Sequence, residues 1–349
     1  NMHGGKILHK VLLGGNVAWV KCKGMFISAI DVFNKMNVLG KDRKPFFFVL
    51  DFKATRGFIC PAEDAEKHGI LYKFSTHKNY ALKNRHTQQV VLQKAPQSLE
   101  HYKKSFDIVH RNLIEGNSYL TNLTCQTPIE LNIGLEEVFY RSQAKYKLWF
   151  NNEFVVFSPE IFVRIENGFI RSFPMKGTID ATIINARDVI LNDYKETAEH
   201  NTIVDLIRND LSMVSDNVRV ERYRYIDEIK TNHKNLLQVS SEIVGELKNG
   251  YNAQLGTIFK KLLPAGSISG APKKKTVEII KEAETYTRGF YTGVMGYFDG
   301  STLDSAVMIR FIQNTNGKLF FCSGGGITIH SNCESEYNEM TDKIYVPII

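Results

Sequence analysis

The sequence predicts an α+β fold, and three observations carry that prediction. Apolar segments pair up across Asn167-Gly168, across a turn holding Asp299-Gly300, and across Asn316-Gly317. Such dipeptides are the strongest short-range signals of antiparallel hairpins. Helical periodicity fills the intervals between the hairpins, and antiparallel sheet with inserted helices is α+β rather than doubly wound parallel sheet.

Taken in order, the first 95 residues read as mixed strand and loop. Pro96 and Ser98 mark the best boundary, which divides an N-terminal region, 1–97, from 98–349. Beyond it Leu99, Tyr102, Phe106, Val109 and Leu113 recur at helical spacing, with Ser98 as N-cap and Gly116 as the stop. Segments 161–166 and 169–173 form the first hairpin. A long amphipathic helix is expected over 186–214 and a shorter one over 252–263. Another spans 272–285, with Pro272 in its first turn, where the missing N–H costs nothing. Strands 293–298 and 303–312 flank Asp299-Gly300, and 318–322 returns through Asn316-Gly317. No internal repeat or low-complexity segment occurs.

The composition excludes several classes. Of 349 residues, 43% are hydrophobic and 23% charged, which is ordinary for a globular chain and excludes a disordered or fibrous one. The length suits two domains of ~150 residues or one large mixed domain. The longest apolar run, 45–50, is far below the ~18 residues of a membrane span. No charged-then-apolar leader opens the chain, Asn1 before Met2 reads as an expression scar, and a cytoplasmic location is expected. Cys22, Cys60, Cys125, Cys322 and Cys333 are odd in number and form no Cys-x-x-Cys, so reduced thiols are expected rather than disulfides or zinc. The net charge of +7 suits an anionic small substrate. Residues 67–99 hold six Lys/Arg, three His and no acid. A solvated strip is favoured there over a nucleic-acid patch.

Five constellations have chemical potential. Glu196 with Glu199, and Glu336 with Glu339, are spaced i, i+3 on one helical face each. Facing pairs would form an all-oxygen site suited to Mg²⁺ rather than zinc, and plain surface charge is the alternative. The loop 264–273 leads into a helix, so its free N–H groups would suit an anion. Ser323-Gly324-Gly325-Gly326-Ile327 follows a strand, where glycine permits close approach of a ligand or simply a tight turn. Arg310 falls in the predicted strand 303–312, where a core-facing arginine requires a carboxylate partner from a ligand or the protein, though an outward-facing arginine is the commoner case. Lys176, in Phe173-Pro174-Met175-Lys176-Gly177-Thr178, would be a nucleophile if burial lowered its pKa, though a solvated lysine is the commoner case.

In this order the segments resemble the chorismate-utilising enzymes over roughly residues 98–343. The resemblance rests on Ser158-Pro159-Glu160, Pro174-Met175-Lys176-Gly177-Thr178, and Glu199-His200 leading to Val204-Asp205-Leu206-Ile207-Arg208-Asn209-Asp210. The loop 264–273, Arg288-Gly289-Phe290-Tyr291, 306–310, Gly324 to Ile327 and 336–343 complete it. It implies an anthranilate synthase component I-like fold, with two antiparallel sheets packed face to face and helices outside. It also implies that Glu199 and Glu339 bind Mg²⁺, with Glu196 and Glu336 beside them, and that the metal holds the ring carboxylate of chorismate. Tyr291, Arg310 and the Gly324 backbone would cradle the enolpyruvyl carboxylate. The Gly326 amide, Lys343 and Ser267 would be further substrate contacts. Glu160 is similar to the family's general acid, whereas pattern alone reads it as a strand-edge carboxylate.

Within that family, Lys176 is similar to the aminodeoxychorismate synthases, because anthranilate synthases typically have alanine there. The branch implies lysine attack on the diene with loss of the ring hydroxyl, then displacement of the lysine by ammonia. Leu120 stands where isochorismate and salicylate synthases have a lysine base, and this too favours amination. Gln238 replaces a histidine of many relatives, Asn338 and Met340 interrupt the usual acid-rich stretch, and no Leu-Leu-Glu-Ser-type tryptophan pocket is found. No cysteine sits in a Gly-x-Cys-x-Gly elbow, and Cys22 comes nearest. A separate glutaminase subunit is therefore expected to supply the ammonia. The expected product is 4-amino-4-deoxychorismate, for p-aminobenzoate and folate. The alternatives are anthranilate synthase component I or a non-catalytic module that binds chorismate or nucleic acid.

Overall fold

The apolar run near the N-terminus is the strand Phe46–Leu50, and all five of its residues are buried. Phe46, Phe48 and Leu50 face one core layer, while Phe47 and Val49 face another. A strand buried on both faces reads as continuous apolar sequence, because its side chains alternate with period two. In this computed structural model, which describes residues 6–13, 16–23, 25–81, 88–229 and 235–348, that strand lies inside a four-layered body.

The two central layers are antiparallel sheets. One has the order Gly270–Ala271, Leu120–Leu131, Lys318–Ile327, Phe311–Thr315, Phe154–Ser158, Tyr146–Phe150, Ile70–Lys73, with Leu92–Lys94 also paired to Leu120–Leu131. The other runs Met175–Asp180, Leu236–Glu246, Phe169–Ser172, Ile161–Glu166, Leu303–Val307, Val294–Phe298, Phe46–Leu50, Arg56–Pro61, Ile27–Ser28. Asp216–Ile229 pairs with Leu236–Glu246. Lys6–Leu13 and Asn16–Lys23 form a separate hairpin. Aromatic side chains from both sheets, among them Phe47, Tyr72, Tyr146, Phe150 and Phe311, fill the layer between them. Helices Ala29–Lys41, Tyr194–Ser212 and Leu255–Leu262 cover the outer face of the second sheet. Leu99–Ile114, Leu135–Arg141, Lys273–Ala283 and Cys333–Asp342 cover that of the first. The expected α+β architecture, two sheets face to face with helices outside, is what the chain adopts.

The hairpin turns follow their residues. Asn167 and Gly168 have φ of +52° and +81°, and Asn316 and Gly317 have +54° and +87°. These positive values at both central positions are what a type I′ turn requires. Ser98 caps Leu99–Ile114 by accepting a hydrogen bond from the His101 N–H, and Gly116 beyond its end has φ +74°.

Several expectations need correction. The first 95 residues include a 13-residue helix, Ala29–Lys41, capped by Ser28 through the Asp31 N–H. The segment 186–214 is two helices, Ala186–Asn192 and Tyr194–Ser212, because extended Asp193 breaks the first and caps the second through the Glu196 N–H. Only Leu255–Leu262 of 252–263 is α-helical. Pro272 is the N-cap residue of Lys273–Ala283 and lies outside its first turn. The strand expected over 303–312 is also two strands in different sheets, Leu303–Val307 and Phe311–Thr315, and Arg310 at φ +54° lies in the crossing.

Among the described residues no helix is long and apolar enough to cross a membrane. Cys60, Cys125, Cys322 and Cys333 are free thiols, whereas the side chain of Cys22 lies outside the described residues. Within the basic strip, Lys67 pairs with Asp64, and Lys73 and Lys94 donate to the carbonyls of Ala144 and Thr341. Lys83, Arg85 and His86 lie outside the described residues.

Candidate active site

A cavity of about 540 Å³ opens where the ends of the two sheets meet two helices. The first sheet contributes Leu120, Asn122 and Gly324–Gly326, and the second contributes Lys176 and Gln238. Helix Tyr194–Ser212 supplies Glu196 and Glu199, and helix Cys333–Asp342 supplies Glu336 and Glu339. All twelve candidate residues line this one cavity: Glu160, Lys176, Glu196, Glu199, Ser267, Tyr291, Arg310, Gly324, Gly326, Glu336, Glu339 and Lys343.

The charges interlock. Lys176 Nζ donates to Glu199 Oε2 at 2.7 Å, and Lys195 Nζ lies 3.9 Å from Glu199 Oε1. Across the cavity, Lys343 Nζ donates to Glu339 Oε1 at 2.6 Å and to the Gly324 carbonyl at 2.9 Å. Glu336 accepts from the Ser331 hydroxyl at 2.7 Å. Burial, with the Glu199 charge beside it, pushes the Glu196 carboxyl up, and burial does the same to Glu336. Burial opposes ionisation of Glu339 as well, but Lys343 outweighs it and holds that carboxyl below the usual range. Burial works against the Lys176 ammonium, as the sequence suggested. The surrounding carboxylates of Glu199, Glu196 and Glu339 overcome it and hold the lysine above its ordinary range. A neutral amine therefore requires that Glu199 be engaged elsewhere.

No three described His, Cys, Asp or Glu side chains converge closely enough to hold a metal as they stand. Lys176 and Lys343 each occupy one carboxylate of a pair. The donor set nevertheless fits Mg²⁺ in kind, since both glutamate pairs offer hard carboxylate oxygens, and burial holds the wall's thiol, Cys322, far above its ordinary pKa.

Glu160 follows Ser158-Pro159 at the end of the strand Phe154–Ser158, where its N–H donates to Ser158 Oγ at 3.1 Å. Ser267 Oγ donates to Glu160 Oε1 at 2.6 Å. Burial lifts the Glu160 pKa even though Ser267, Lys176 and Lys343 all favour the carboxylate. This is the environment of a carboxyl that keeps a proton to give away.

The remaining wall is cationic and close-fitting. Arg310 donates from Nη1 to the Lys343 carbonyl at 2.8 Å and stacks 4.9 Å over Tyr345. Tyr291 is buried beside it. A methyl group on Gly326 would lie 3.3 Å from Lys176 Nζ, and one on Gly325 would lie 3.3 Å from Glu336 Oε2. Gly324 is required by packing instead, because a side chain there would meet the Leu123 carbonyl at 2.3 Å.

Two buried ion pairs behind the wall escaped the sequence reading. Arg288 and Glu284 are each 2% exposed and 2.6 Å apart. Arg288 also donates to the Ile268 and Asn122 carbonyls, tying the loop 264–273 to strand Leu120–Leu131. Asp210 pairs with Lys273 at 2.8 Å. Asp210 and Lys273 are remote in sequence, so spacing gave no sign of that pair, whereas Glu284 and Arg288 stand i, i+4 and their burial is what the sequence concealed. Lys195 was also missed, although its i+4 relation to Glu199 is visible in the sequence.

The chorismate binding enzyme family model matches residues 50–348, most of the chain. The chain belongs to the chorismate-binding enzyme family. Among curated relatives of this chorismate-binding enzyme, an uncharacterized PabA-like protein of Haemophilus influenzae is 49% identical over 312 residues, covering 89% of this chain and 95% of that one. Aminodeoxychorismate synthase component 1 of Bacillus subtilis is 30% identical over 266 residues, 72% of this chain and 55% of the relative. Anthranilate synthase component 1 of Aquifex aeolicus is 38% identical over 195 residues, 53% of this chain and 38% of the relative. In fold, the chain resembles a putative 2,3-dihydroxybenzoate-specific isochorismate synthase of Bacillus anthracis. The TM-score is 0.68 over 94% of this chain and 91% of that one, at 18% identity.

Proposed function

We propose that this chorismate-binding enzyme is the chorismate-aminating component of an aminodeoxychorismate synthase. The observation that supports this most directly is the position of Lys176 on the cavity wall, hydrogen-bonded to Glu199 and facing Gly326. Leu120 lines the same cavity, so a water-activating lysine is missing from that strand.

In this reading Lys176 Nζ attacks the diene of chorismate, and the ring hydroxyl departs as water after taking the Glu160 proton. Ammonia then forms the new ring C–N bond as the C–N bond to Lys176 breaks, giving 4-amino-4-deoxychorismate with the enolpyruvyl group retained. Arg310 and Tyr291 hold the enolpyruvyl carboxylate, with the Gly324 and Gly326 backbone, Ser267 and Lys343 as further contacts. Glu199 and Glu339, with Glu196 and Glu336 beside them, would hold Mg²⁺, which supplies positive charge for the ring carboxylate. A glutaminase partner would supply the ammonia, and the product would serve p-aminobenzoate and folate synthesis in the cytoplasm.

A product assay with chorismate, Mg²⁺ and an ammonium salt, run with and without an added aminodeoxychorismate lyase, tests the proposal. The expected result is p-aminobenzoate only when the lyase is present. Anthranilate and pyruvate without it would instead assign the chain as an anthranilate synthase component, which the Aquifex relative makes the second reading.

A further inference from the structure

We infer that the buried Asp210–Lys273 ion pair is a positioning device for the Glu160 carboxyl, acting through Ser267. This rests on the reading of Glu160 as the general acid. Asp210 lies near the end of helix Tyr194–Ser212, the same helix that presents Glu196 and Glu199. Lys273 opens helix Lys273–Ala283, immediately after the loop that carries Ser267. Their side chains are 10% and 19% exposed, and Lys273 Nζ also donates to the Leu262 carbonyl at 2.8 Å. One ammonium thus ties together the two ends of the loop, and Asp210 fixes that knot to the helix.

The connection to Glu160 is short. Gly266 packs directly on Asp210, where a methyl group would lie 2.8 Å from Oδ2 and 3.0 Å from Leu206 Cγ. The next residue is Ser267, whose hydroxyl donates to Glu160 at 2.6 Å. Ser269 Oγ donates to the Ala265 carbonyl and Arg288 to the Ile268 carbonyl, so the turn moves as one body. Removing one charge strands its buried partner, and the loop must then relax to solvate it. The groups facing Glu160 are Ser267 on this turn, Lys176 on strand Met175–Asp180 and Lys343 after helix Cys333–Asp342. All three favour the ionised carboxylate, so retreat of Ser267 makes Glu160 hold its proton to higher pH.

The test uses Asp210→Asn and Lys273→Met, with Ser267→Ala as the reference. Glu160 is titrated in the substrate-free protein by infrared difference spectroscopy, its carboxyl band identified by loss in Glu160→Gln. A hydrogen bond to a charged group corresponds to an upward displacement of about one pH unit. We expect that displacement in both pair variants, with no further displacement when Asp210→Asn is combined with Ser267→Ala. The basic limb of the kcat profile should move with it. Variants that lose thermal stability while Glu160 titrates as in the wild type would overturn the inference and leave the pair purely structural. If the charge variants fail to fold, Gly266→Ala keeps both charges, forces the turn and Asp210 apart by direct contact, and is judged by the same titration. Failure of the wild type to aminate chorismate would refute the functional reading, whereas the infrared titration decides the positioning role separately.

Discussion

Lys176 and Glu199 share one hydrogen bond of 2.7 Å, so the candidate nucleophile and a candidate metal ligand neutralise each other. Whatever draws the Glu199 carboxylate away also releases the amine. The Lys176→Ala variant is expected to lose covalent capture of chorismate while keeping a slow direct amination. Mass spectrometry of enzyme quenched with chorismate and Mg²⁺ should show wild type carrying the mass of chorismate less one water, and the variant none. Wild type without an adduct under any quench would reduce Lys176 to an electrostatic role.

Glu160 is held protonated above the ordinary carboxyl range, first of all by burial. Its acid form is lost as pH rises through that raised value, so kcat should fall on the alkaline side. Glu160→Gln is expected to remove that limb and lower kcat by about 10²- to 10⁴-fold. Chorismate binding followed by calorimetry should be retained. A variant with an unchanged alkaline limb would exclude Glu160 as the acid.

Lys195 is half exposed at the cavity wall, 3.9 Å from Glu199 Oε1. In the proposed reading its charge would draw a dianionic substrate towards the cavity from the half-exposed rim. Lys195→Met should raise KM by about two- to five-fold and leave kcat nearly unchanged. Added salt should shrink the difference, since screening acts within about 8 Å at physiological ionic strength. A fall in kcat alone would contradict this.

What was legible in the sequence depended on how local the cause was. Ser98, Asn167-Gly168 and Asn316-Gly317 determine their own caps and turns, and all appeared as expected. The two glutamate pairs were visible because three-residue spacing on a helix fixes a shared face. Arg310 was misplaced because the passage from one sheet to the other is set by packing of distant strands, which apolar patterning across 303–312 conceals. The buried partners Asp210–Lys273 depend on tertiary contact across more than sixty residues. Glu160 came only from family resemblance, since the burial that lifts its pKa and the Ser267 hydroxyl that opposes it both come from other segments.

Arg288 joins Glu284, the Ile268 carbonyl and the Asn122 carbonyl in a space closed to water. Arg288→Met would leave the buried Glu284 carboxylate without its countercharge, held only by the Thr124 N–H and hydroxyl, and would remove the Arg288 bonds to both carbonyls. The expected loss is about 3–5 kcal/mol of stability, measured by urea unfolding. A loss below about 1 kcal/mol would show that the pair is dispensable.

Lys147 is buried and pushed down to about 8, chiefly by burial and further by Lys73, while it donates to the carbonyls of Phe139 and Ser142. The unfolded chain binds this proton up to a pH of ~10.4, so the folded state gains relative stability as pH rises from about 8 towards that value. Below about 8 the penalty is complete. The stability of wild type relative to Lys147→Met should therefore rise by up to about 3 kcal/mol between pH 7.5 and 10.5. A pH-independent difference would refute it.

The charges on the cavity wall have a further consequence for the order of assembly. Lys176, Lys195, Arg310 and Lys343 face Glu160, Glu196, Glu199, Glu336 and Glu339, so the opposite charges on the wall come close to cancelling. A dication entering alone, or a dianion entering alone, unbalances it by two charges in a confined space of low dielectric, where such an excess is severe. Entering together they restore the balance. If the proposed reading holds, the site would behave as a coincidence detector in which Mg²⁺ and the dicarboxylate each raise the other's affinity by the same factor, as linkage requires.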